Sequence, residues 1–259
     1  MICKDIIRIV EEAAPLGLAY PWDNSGFLCG DINREVKKLY ITLDVNIYTI
    51  DEAVKAGADM ILSHHPIMFG GIKKIDYDTP QGYVIRQLIK NDIALYASHT
   101  PMDCAKNGIN EVLADKLGII NKKVLEPSEG FEGCGLGRCG ELKNEMTLRN
   151  FAEDVKKALN TPFVRICGNP DTIIKTAAVG GGACDDLIPA AIENGADVIV
   201  TSDMKYHISM DSEESGLPVI DAGHYPTEVF VIDIFADLFK DCDIEIVKST
   251  EKDTFKVIV

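Results

Sequence analysis

The sequence predicts an α/β protein made of two similar halves, each with a mostly parallel β-sheet. Apolar strands alternate with helices in residues 1–125, and the same alternation returns in residues 173–259. Two pairs of segments also recur in the same order in these two halves. Strands that alternate with helices pair mostly in parallel, because each helix returns the chain to the same end of the sheet.

The first half is assigned to residues 1–125. Its predicted elements are, in chain order, a short amphipathic helix within 1–20, a strand over 37–45, a helix over 47–57, a strand over 58–63, a helix over 82–90, a strand over 93–98 and a helix over 109–118. Gly57 is expected to end its helix, since glycine readily adopts the left-handed backbone that often follows the last helical turn.

Residues 126–172 break this rhythm and are predicted to be a connecting segment. The stretch 131–140 is rich in glycine, and a single helix is expected over 147–160. The second half, residues 173–259, is regular again. Its predicted elements are a strand over 173–182, a helix over 186–195, a strand over 196–201, a helix over 202–215, a strand over 217–223, a helix over 228–241 and an edge strand over 244–248.

The internal repeat links the two halves. EAVKAGADMILSHH (52–65) resembles AAIENGADVIVTSD (190–203), and ASHTPMD (97–103) resembles AGHYPTE (222–228). The second pair shares the pattern H-x-P-x-[DE]. We therefore expect two related halves that face each other, each presenting polar side chains at the carboxyl ends of its strands. Open parallel sheets bind their ligands at that end.

Four of the five histidines stand at predicted strand ends, together with two carboxylates. A mixed set of imidazoles and carboxylates is typical of a catalytic, solvent-open metal site. Extended backbone would point two adjacent histidines in different directions, so that they could serve two cations about 3.5–4 Å apart. Helix capping is the alternative for the two carboxylates, and their matching positions in both halves favour ligation. The predicted metal ligands are His64, His65, Asp103, His224 and Glu228.

Several other candidates have a simpler explanation beside the functional one. His99 is equally well explained as a ligand and as a supporting group of the site. His207 is expected on a helix surface. The turn 180–186, GGGACDD, could hold a phosphate, but it lacks the lysine of a P-loop, and a tight turn accounts for its glycines. Cys104 could be a soft ligand, although a small buried residue is favoured.

Composition limits the class of protein. The 259 residues carry a formal net charge of −15, which disfavours general binding to nucleic acid or to anionic membranes. No apolar stretch approaches the ~18 residues of a membrane helix. Eight scattered cysteines form no C-x-x-C pair, and the N-terminus lacks the apolar run of a signal peptide. A reduced, cytoplasmic setting is therefore expected.

The ordered motifs PWDNSGFLCG, LSHHP, SHTPMD, GGGACDD, SDMKYH and IDAGHYPTE resemble the GTP cyclohydrolase 1 type 2 homolog family, also called the Nif-three-like family. The resemblance extends from Trp22 to Glu228, and the length matches the short form without an inserted domain. It implies two α/β halves with a dinuclear metal site between them. The same five residues would be its ligands, with Glu228 as the bridge and His99 lining the site.

The resemblance has two visible departures. The family usually has Asn at the position of Pro101, and Gly-Asp or Gly-Glu at the position of Ser202-Asp203. Neither position is an expected ligand, so these changes affect the shape of the substrate pocket rather than the metal site. The resemblance further implies a toroidal homohexamer.

The function suggested by these features is metal-dependent hydrolysis. Two divalent cations, for which Fe, Zn, Mn and Ni are all suitable, would activate a water, and His99 would carry protons. The resemblance suggests GTP as the substrate, with opening of the purine imidazole ring. The alternatives are a metal-handling or cofactor-assembly protein without turnover, and a regulatory interaction module.

Overall fold

The computed structural model describes residues 1–256 and 258. The chain forms two compact units. Unit 1 comprises Met1–Met102 and Val231–Lys252, and unit 2 comprises Asp103–Phe230 together with the described residues that follow Lys252. Each unit contains one β-sheet, so the mixed α/β class predicted from the sequence is confirmed. No helix in the described part of the chain is long and apolar enough to cross a membrane.

The strands are β1 (Gly26–Cys29), β2 (Lys38–Thr42), β3 (Met60–Ser63), β4 (Ala94–Ala97), β5 (Ile119–Pro127), β6 (Gly135–Thr147), β7 (Arg165–Cys167), β8 (Ile173–Val179), β9 (Val198–Thr201), β10 (Val219–Asp221) and β11 (Glu245–Lys248). The α-helices are α1 (Cys3–Ala13), α2 (Ile47–Ala56), α3 (Pro80–Lys90), α4 (Thr100–Cys104), α5 (Ile109–Lys116), α6 (Leu148–Ala158), α7 (Ile188–Glu193), α8 (Tyr206–Glu214), α9 (His224–Glu228) and α10 (Val231–Leu238). Short 3-10 helices occupy Leu16–Leu18 and Asp185–Leu187. Gly57 ends α2 in the left-handed conformation, as predicted.

The sheet of unit 1 has the strand order β1-β4-β3-β2-β11. All its pairs are parallel except β1 with β4. Strands β3 and β4 are buried along their whole length, as expected for parallel strands covered on both faces. Ile50 of α2 and Leu88 of α3 belong to the core cluster on the sheet. This arrangement places the carboxyl ends of β2, β3 and β4 at one edge.

The sheet of unit 2 has the strand order β5-β6-β8-β9-β10-β7. Its central strands β8, β9 and β10 are parallel, but the other three pairs are antiparallel, so the mostly parallel sheet predicted for the second half is wrong. Leu187 and Ala191 pack with Ile199 of β9 in the core of this unit. In each unit an antiparallel edge strand is followed across the sheet by three parallel strands. The edge strand β1 is followed by β4, β3 and β2 in unit 1, and the edge strand β7 is followed by β10, β9 and β8 in unit 2. The sequence repeat therefore corresponds to a repeated topology, in which β3 matches β9 and β4 matches β10.

The structure differs from the sequence prediction in residues 126–172. This segment, predicted to connect the halves, contributes β6, β7 and the end of β5 to the second sheet. Its glycines permit close strand pairing: a Cβ atom on Gly140 would lie 2.4 Å from the carbonyl oxygen of Ile120 on β5. Glycine thus permits a tight backbone approach between paired strands in a segment that the sequence predicted only as a connection.

The C-terminal elements also differ from expectation. The helix predicted over 228–241 is divided into α9 and α10. Helix α10 and strand β11, expected in the second half, belong to unit 1, where β11 pairs in parallel with β2. The apolar face of α10, which includes Val231 and Phe235, is buried. Burial of this face explains why the chain returns to the first sheet, since a strongly amphipathic helix requires an apolar surface to cover.

Candidate metal centre

His64 directly follows β3 and is fully buried. Its Nδ1 atom lies 3.0 Å from the backbone carbonyl oxygen of Ser98. A carbonyl oxygen only accepts hydrogen bonds, so Nδ1 must carry the proton and donate it. In the neutral ring, Nε2 of His64 therefore keeps its lone pair. A nitrogen lone pair is what a metal ion binds.

His65 and His99 are held in the same way by carboxylates. Nδ1 of His65 lies 2.9 Å from Oδ1 of Asp44, just beyond β2. Nδ1 of His99 lies 2.9 Å from Oδ1 of Asp23. Carboxylate partners of this kind orient a ligating imidazole and increase its basicity. In both rings, when neutral, Nε2 is then the nitrogen that carries the lone pair.

These three histidines form one cluster in unit 1. The ring centroid of His64 lies 4.8 Å from that of His65 and 5.1 Å from that of His99. Each ring offers a nitrogen, and these nitrogens lie within 4.8 Å of one another. The cluster could therefore bind a metal ion. His99, for which the sequence left ligation and support equally open, lies within this group.

Asp23, which positions His99, has a fully buried side chain. Its Oδ2 atom accepts hydrogen bonds from Thr100 Oγ1 at 2.6 Å and from Ser25 Oγ at 2.7 Å. Burial alone would raise its pKa. The hydrogen bonds from His99, Thr100 and Ser25 outweigh burial and hold the pKa of the Asp23 carboxyl well below its usual range. Asp23 is therefore a permanent anion that orients His99. Asp23 lies in the motif PWDNSGFLCG, which carries part of the family resemblance, but it was not among the predicted site residues.

Unit 2 contributes a second group, centred on α9. His224 and Glu228 stand one helical turn apart, and Nε2 of His224 lies 3.0 Å from Oε2 of Glu228. The predicted H-x-P-x-[DE] pattern therefore does bring its two ends together on one helix face here. Nδ1 of His224 lies 2.6 Å from Oδ2 of Asp203. Asp203 was not among the predicted site residues. It has a left-handed backbone with φ 55° and lies shortly before α8, which begins at Tyr206.

Asp103 belongs to the same unit and is buried. One of its carboxylate oxygens lies within 4.8 Å of one from Glu228. Asn110 of α5 donates from Nδ2 to the Asp103 carbonyl oxygen at 3.1 Å. The same amide accepts from the Gly181 backbone N–H at 2.8 Å. Asn110 thus ties the end of α4 to the glycine turn that lies beside Glu228.

The turn GGGACDD packs against the Glu228 carboxylate, and its backbone N–H groups donate hydrogen bonds to other protein atoms. The Gly182 N–H donates to Thr227 Oγ1, and the Cys184 N–H donates to Thr201 Oγ1. A Cβ atom on Gly182 would lie 2.1 Å from Oε1 of Glu228. These contacts support the tight-turn explanation for the glycines rather than the phosphate cradle, which requires amides directed at a ligand.

Two remaining candidates behave as their simpler explanations predict. Burial raises the pKa of the Cys104 thiol to about 12, assisted by the nearby Asp103 carboxylate. Cys104 is buried and, within the part of the chain that the structure describes, belongs to none of the potential metal-binding groups, which agrees with a small buried residue. His207 is exposed on α8 and belongs to none of the potential metal-binding groups among the described residues.

The donor chemistry suits a divalent transition metal. Neutral imidazole nitrogens and carboxylate oxygens, with no thiolate, are the ligands of catalytic Zn, Fe, Mn or Ni sites. Four histidines share one arrangement, with Nδ1 against an oxygen acceptor. They are His64, His65, His99 and His224. The residues present therefore include groups that could hold a metal ion, among them the three histidines of unit 1.

The comparison with known proteins covers almost the whole chain. The family model Duf34/NIF3 (NGG1p interacting factor 3) matches residues 1–254. A Clostridium perfringens protein named GTP cyclohydrolase 1 type 2 homolog is 37% identical over 100% of both chains. A Methanocaldococcus jannaschii protein of the same name is 35% identical over 95% of this chain and 98% of its own. The crystal structure of a Bacillus cereus protein related to NIF3 superposes with a TM-score of 0.92 at 28% identity, covering 100% of this chain and 99% of the other.

Proposed function

The chain belongs to the Duf34/NIF3 family, and from this membership we propose that it is a metal-dependent hydrolase with two divalent cations per subunit. The observation that carries the proposal is the shared orientation of the four histidines. Each has Nδ1 against an oxygen acceptor, so that Nε2 is presented as a ligand atom.

The proposed ligands are the five residues that the sequence indicated. They are His64, His65, Asp103, His224 and Glu228. In this proposal these five residues would hold the two cations, and the family resemblance implies that Glu228 would be a ligand of both. Iron, zinc, manganese and nickel all suit the donor set. Asp44 and Asp203 orient His65 and His224, and they increase the basicity of the two imidazoles.

The proposed chemistry is attack of water on a nucleotide. Two bound cations would supply the Lewis acidity that lowers the pKa of a water and stabilises developing negative charge. His99 is the proposed proton carrier: Asp23 holds its Nδ1, so Nε2 accepts and returns the proton. The proposed substrate is GTP, with opening of the purine imidazole ring. The names of the relatives, GTP cyclohydrolase 1 type 2 homolog, support this choice.

The test is incubation of metal-loaded protein with GTP and related nucleotides, with products identified by mass spectrometry. We expect a ring-opened product whose formation is lost in the His64→Ala variant. Failure of the native protein to exceed the His64→Ala variant would overturn the cyclohydrolase proposal. Metal content is measured in both samples, so that loss of turnover can be compared with loss of metal.

The proposed assembly is a cytoplasmic, toroidal homohexamer, as the family resemblance implies. Light scattering after size-exclusion chromatography is expected to give a mass six times that of the chain. A monomeric mass at the concentrations used for the activity assay would contradict this assembly.

Metal handling without turnover is the second candidate. The observation in its favour is that the His224 side chain is 36% exposed, so that a ligand of the centre is open to solvent. An accessible ligand permits exchange of the metal with an acceptor. Under this alternative, loaded protein transfers its metal to a chelator within minutes and forms no product from any nucleotide. Slow metal release together with nucleotide turnover would instead support the hydrolase.

A further inference from the structure

Two exposed aromatic rings stand beside His99. Trp22 is 58% exposed and Phe69 is 54% exposed. Their ring centroids lie 5.7 Å and 5.5 Å from the His99 ring, both in edge-to-face geometry. Other aromatic residues of the chain are also exposed, but Trp22 and Phe69 both contact the candidate proton carrier, and a cluster of exposed apolar side chains is typical of a ligand-binding surface.

The two rings come from different segments that are fastened together. Trp22 lies in the turn before β1, and Phe69 lies in the loop between β3 and α3. Asn24 donates from Nδ2 to the Met68 carbonyl oxygen at 2.7 Å, which joins these segments beside both rings. Rigid aromatic side chains on a fixed backbone bind a flat ligand with little loss of conformational entropy.

The loop that contains Phe69 also contains two lysines, Lys73 and Lys74. A cavity of about 620 Å³ is lined by Phe69 and by Lys73 and Lys74, among other residues of the loop. Nζ of Lys74 lies 4.0 Å from Oδ2 of Asp76, which also lines the cavity. The two lysines outnumber this carboxylate, so the cavity has a local excess of positive charge in a chain with a formal net charge of −15. Such an excess is complementary to a phosphorylated ligand.

We propose that Trp22 and Phe69 bind the planar heteroaromatic ring of a nucleotide next to His99, while Lys73 and Lys74 bind its phosphates. This inference rests on the proposed function for the identity of the substrate, and it adds the residues that recognise each part. A base between aromatic side chains is held by stacking, which contributes affinity for any flat ring. The lysines add affinity that depends on phosphate and on salt concentration.

The test uses the fluorescence of Trp22, which is the single tryptophan of the chain. Native protein is titrated with GTP, guanosine and inorganic triphosphate. We expect quenching by GTP and, at higher concentration, by guanosine, and none by triphosphate alone. Phe69→Ala is expected to raise the GTP dissociation constant about tenfold, as loss of a stacking partner does, and Phe69→Tyr to restore it.

The matched control is Tyr77→Ala. Tyr77 is a 55% exposed aromatic residue of the same loop, but its ring lies against the Arg86 guanidinium, 5.1 Å from the centroid. Its loss is expected to leave GTP binding unchanged. The double variant Lys73→Ala, Lys74→Ala is expected to weaken binding of GTP and leave binding of guanosine unchanged. Circular dichroism confirms that each variant is folded.

The outcomes separate this inference from the proposed hydrolase function. Quenching that depends on Phe69, without any turnover, would support the binding site and count against hydrolysis. Turnover of GTP with equal affinity in Phe69→Ala and Tyr77→Ala would support hydrolysis and overturn the binding site. Absence of quenching by GTP in native protein would likewise overturn it. Calorimetry on Trp22→Ala provides a second measure, with weaker GTP binding expected.

Discussion

Nδ1 of His65 lies 2.9 Å from Oδ1 of Asp44, although 21 residues separate them in the chain. His65 follows β3 and Asp44 follows β2, and these two strands are paired in parallel. Parallel pairing brings the two strand ends side by side, so the carboxylate reaches the ring from the neighbouring strand. The contact fixes the orientation of the His65 ring, and it makes Asp44 a positioning residue of the proposed metal centre.

Asp44→Ala is expected to lower metal affinity by about 10- to 100-fold, since removal of the carboxylate that orients a ligating imidazole has effects of this size. Asp44→Asn keeps an acceptor and is expected to lose less. Affinity is measured by competition with a chelator of known strength. Asp51→Ala is the control, because Asp51 accepts a hydrogen bond from Tyr83 on the surface. Equal losses in the two alanine variants would contradict the role of Asp44.

Glu228→Gln and His224→Ala are each expected to lower the metal content of purified protein. The glutamine side chain has nearly the same volume as that of Glu228 but lacks its charge, so it would bind a divalent cation weakly. Elemental analysis of protein purified without chelators gives the content per chain. His207→Ala, on the exposed face of α8, is the control and should keep the native content. Native metal content in both ligand variants would overturn the ligand assignment.

Gly182→Ala is expected to remove metal binding, whereas Gly195→Ala is expected to keep it. Both glycines have a left-handed backbone, with φ +67° and +71°. Alanine at either position therefore costs about 1 kcal/mol of unfolding free energy. Only at residue 182 would the new Cβ lie 2.1 Å from Oε1 of Glu228. Chemical denaturation and elemental analysis on both variants separate backbone strain from displacement of Glu228. Equal metal content would contradict this prediction.

The ion pair of Glu111 with Arg138 predicts a loss of stability in acid. Arg138 is almost completely buried, and its Nε lies 2.6 Å from Oε2 of Glu111. Burial would raise the pKa of Glu111, but hydrogen bonds from Lys122 and Arg138 outweigh it and lower the pKa. A lowered folded-state pKa stabilises the fold above the unfolded value of about 4.3. This stabilisation is lost as the pH falls through the folded value.

Urea unfolding of metal-free native protein and of Glu111→Gln, from about pH 6 down to pH 3, tests this prediction. The difference in unfolding free energy between the two proteins should be largest near pH 6 and should shrink in acid. Glu153→Gln, on the exposed surface of α6, should track the native protein throughout. A difference for Glu111→Gln that stays constant with pH would refute the assigned role of the carboxylate.

The histidine and carboxylate donors could be selected from the sequence because their signals are local. SHHP and the repeated H-x-P-x-[DE] each lie within a few residues of a buried strand, and the alternation of strands and helices predicted the parallel core of both sheets. The sequence did not indicate the roles of Asp23, Asp44 and Asp203, although Asp23 and Asp203 stand in the motifs PWDNSGFLCG and SDMKYH. Their partners lie 76, 21 and 21 residues away, and only strand pairing and loop packing bring each carboxylate to its ring.

The sequence by itself thus determined the α/β class, the internal repeat and the set of candidate ligands, because side-chain periodicity and short motifs depend on neighbouring residues. The tertiary structure decided three other features: the assignment of β6 and β7 to the second sheet, the return of α10 and β11 to the first, and the acceptor bound to each Nδ1. These features depend on which distant segments bury one another and in what register. The free energy of the whole packed unit determines which segments pair, and this pairing cannot be deduced from any short segment of the sequence.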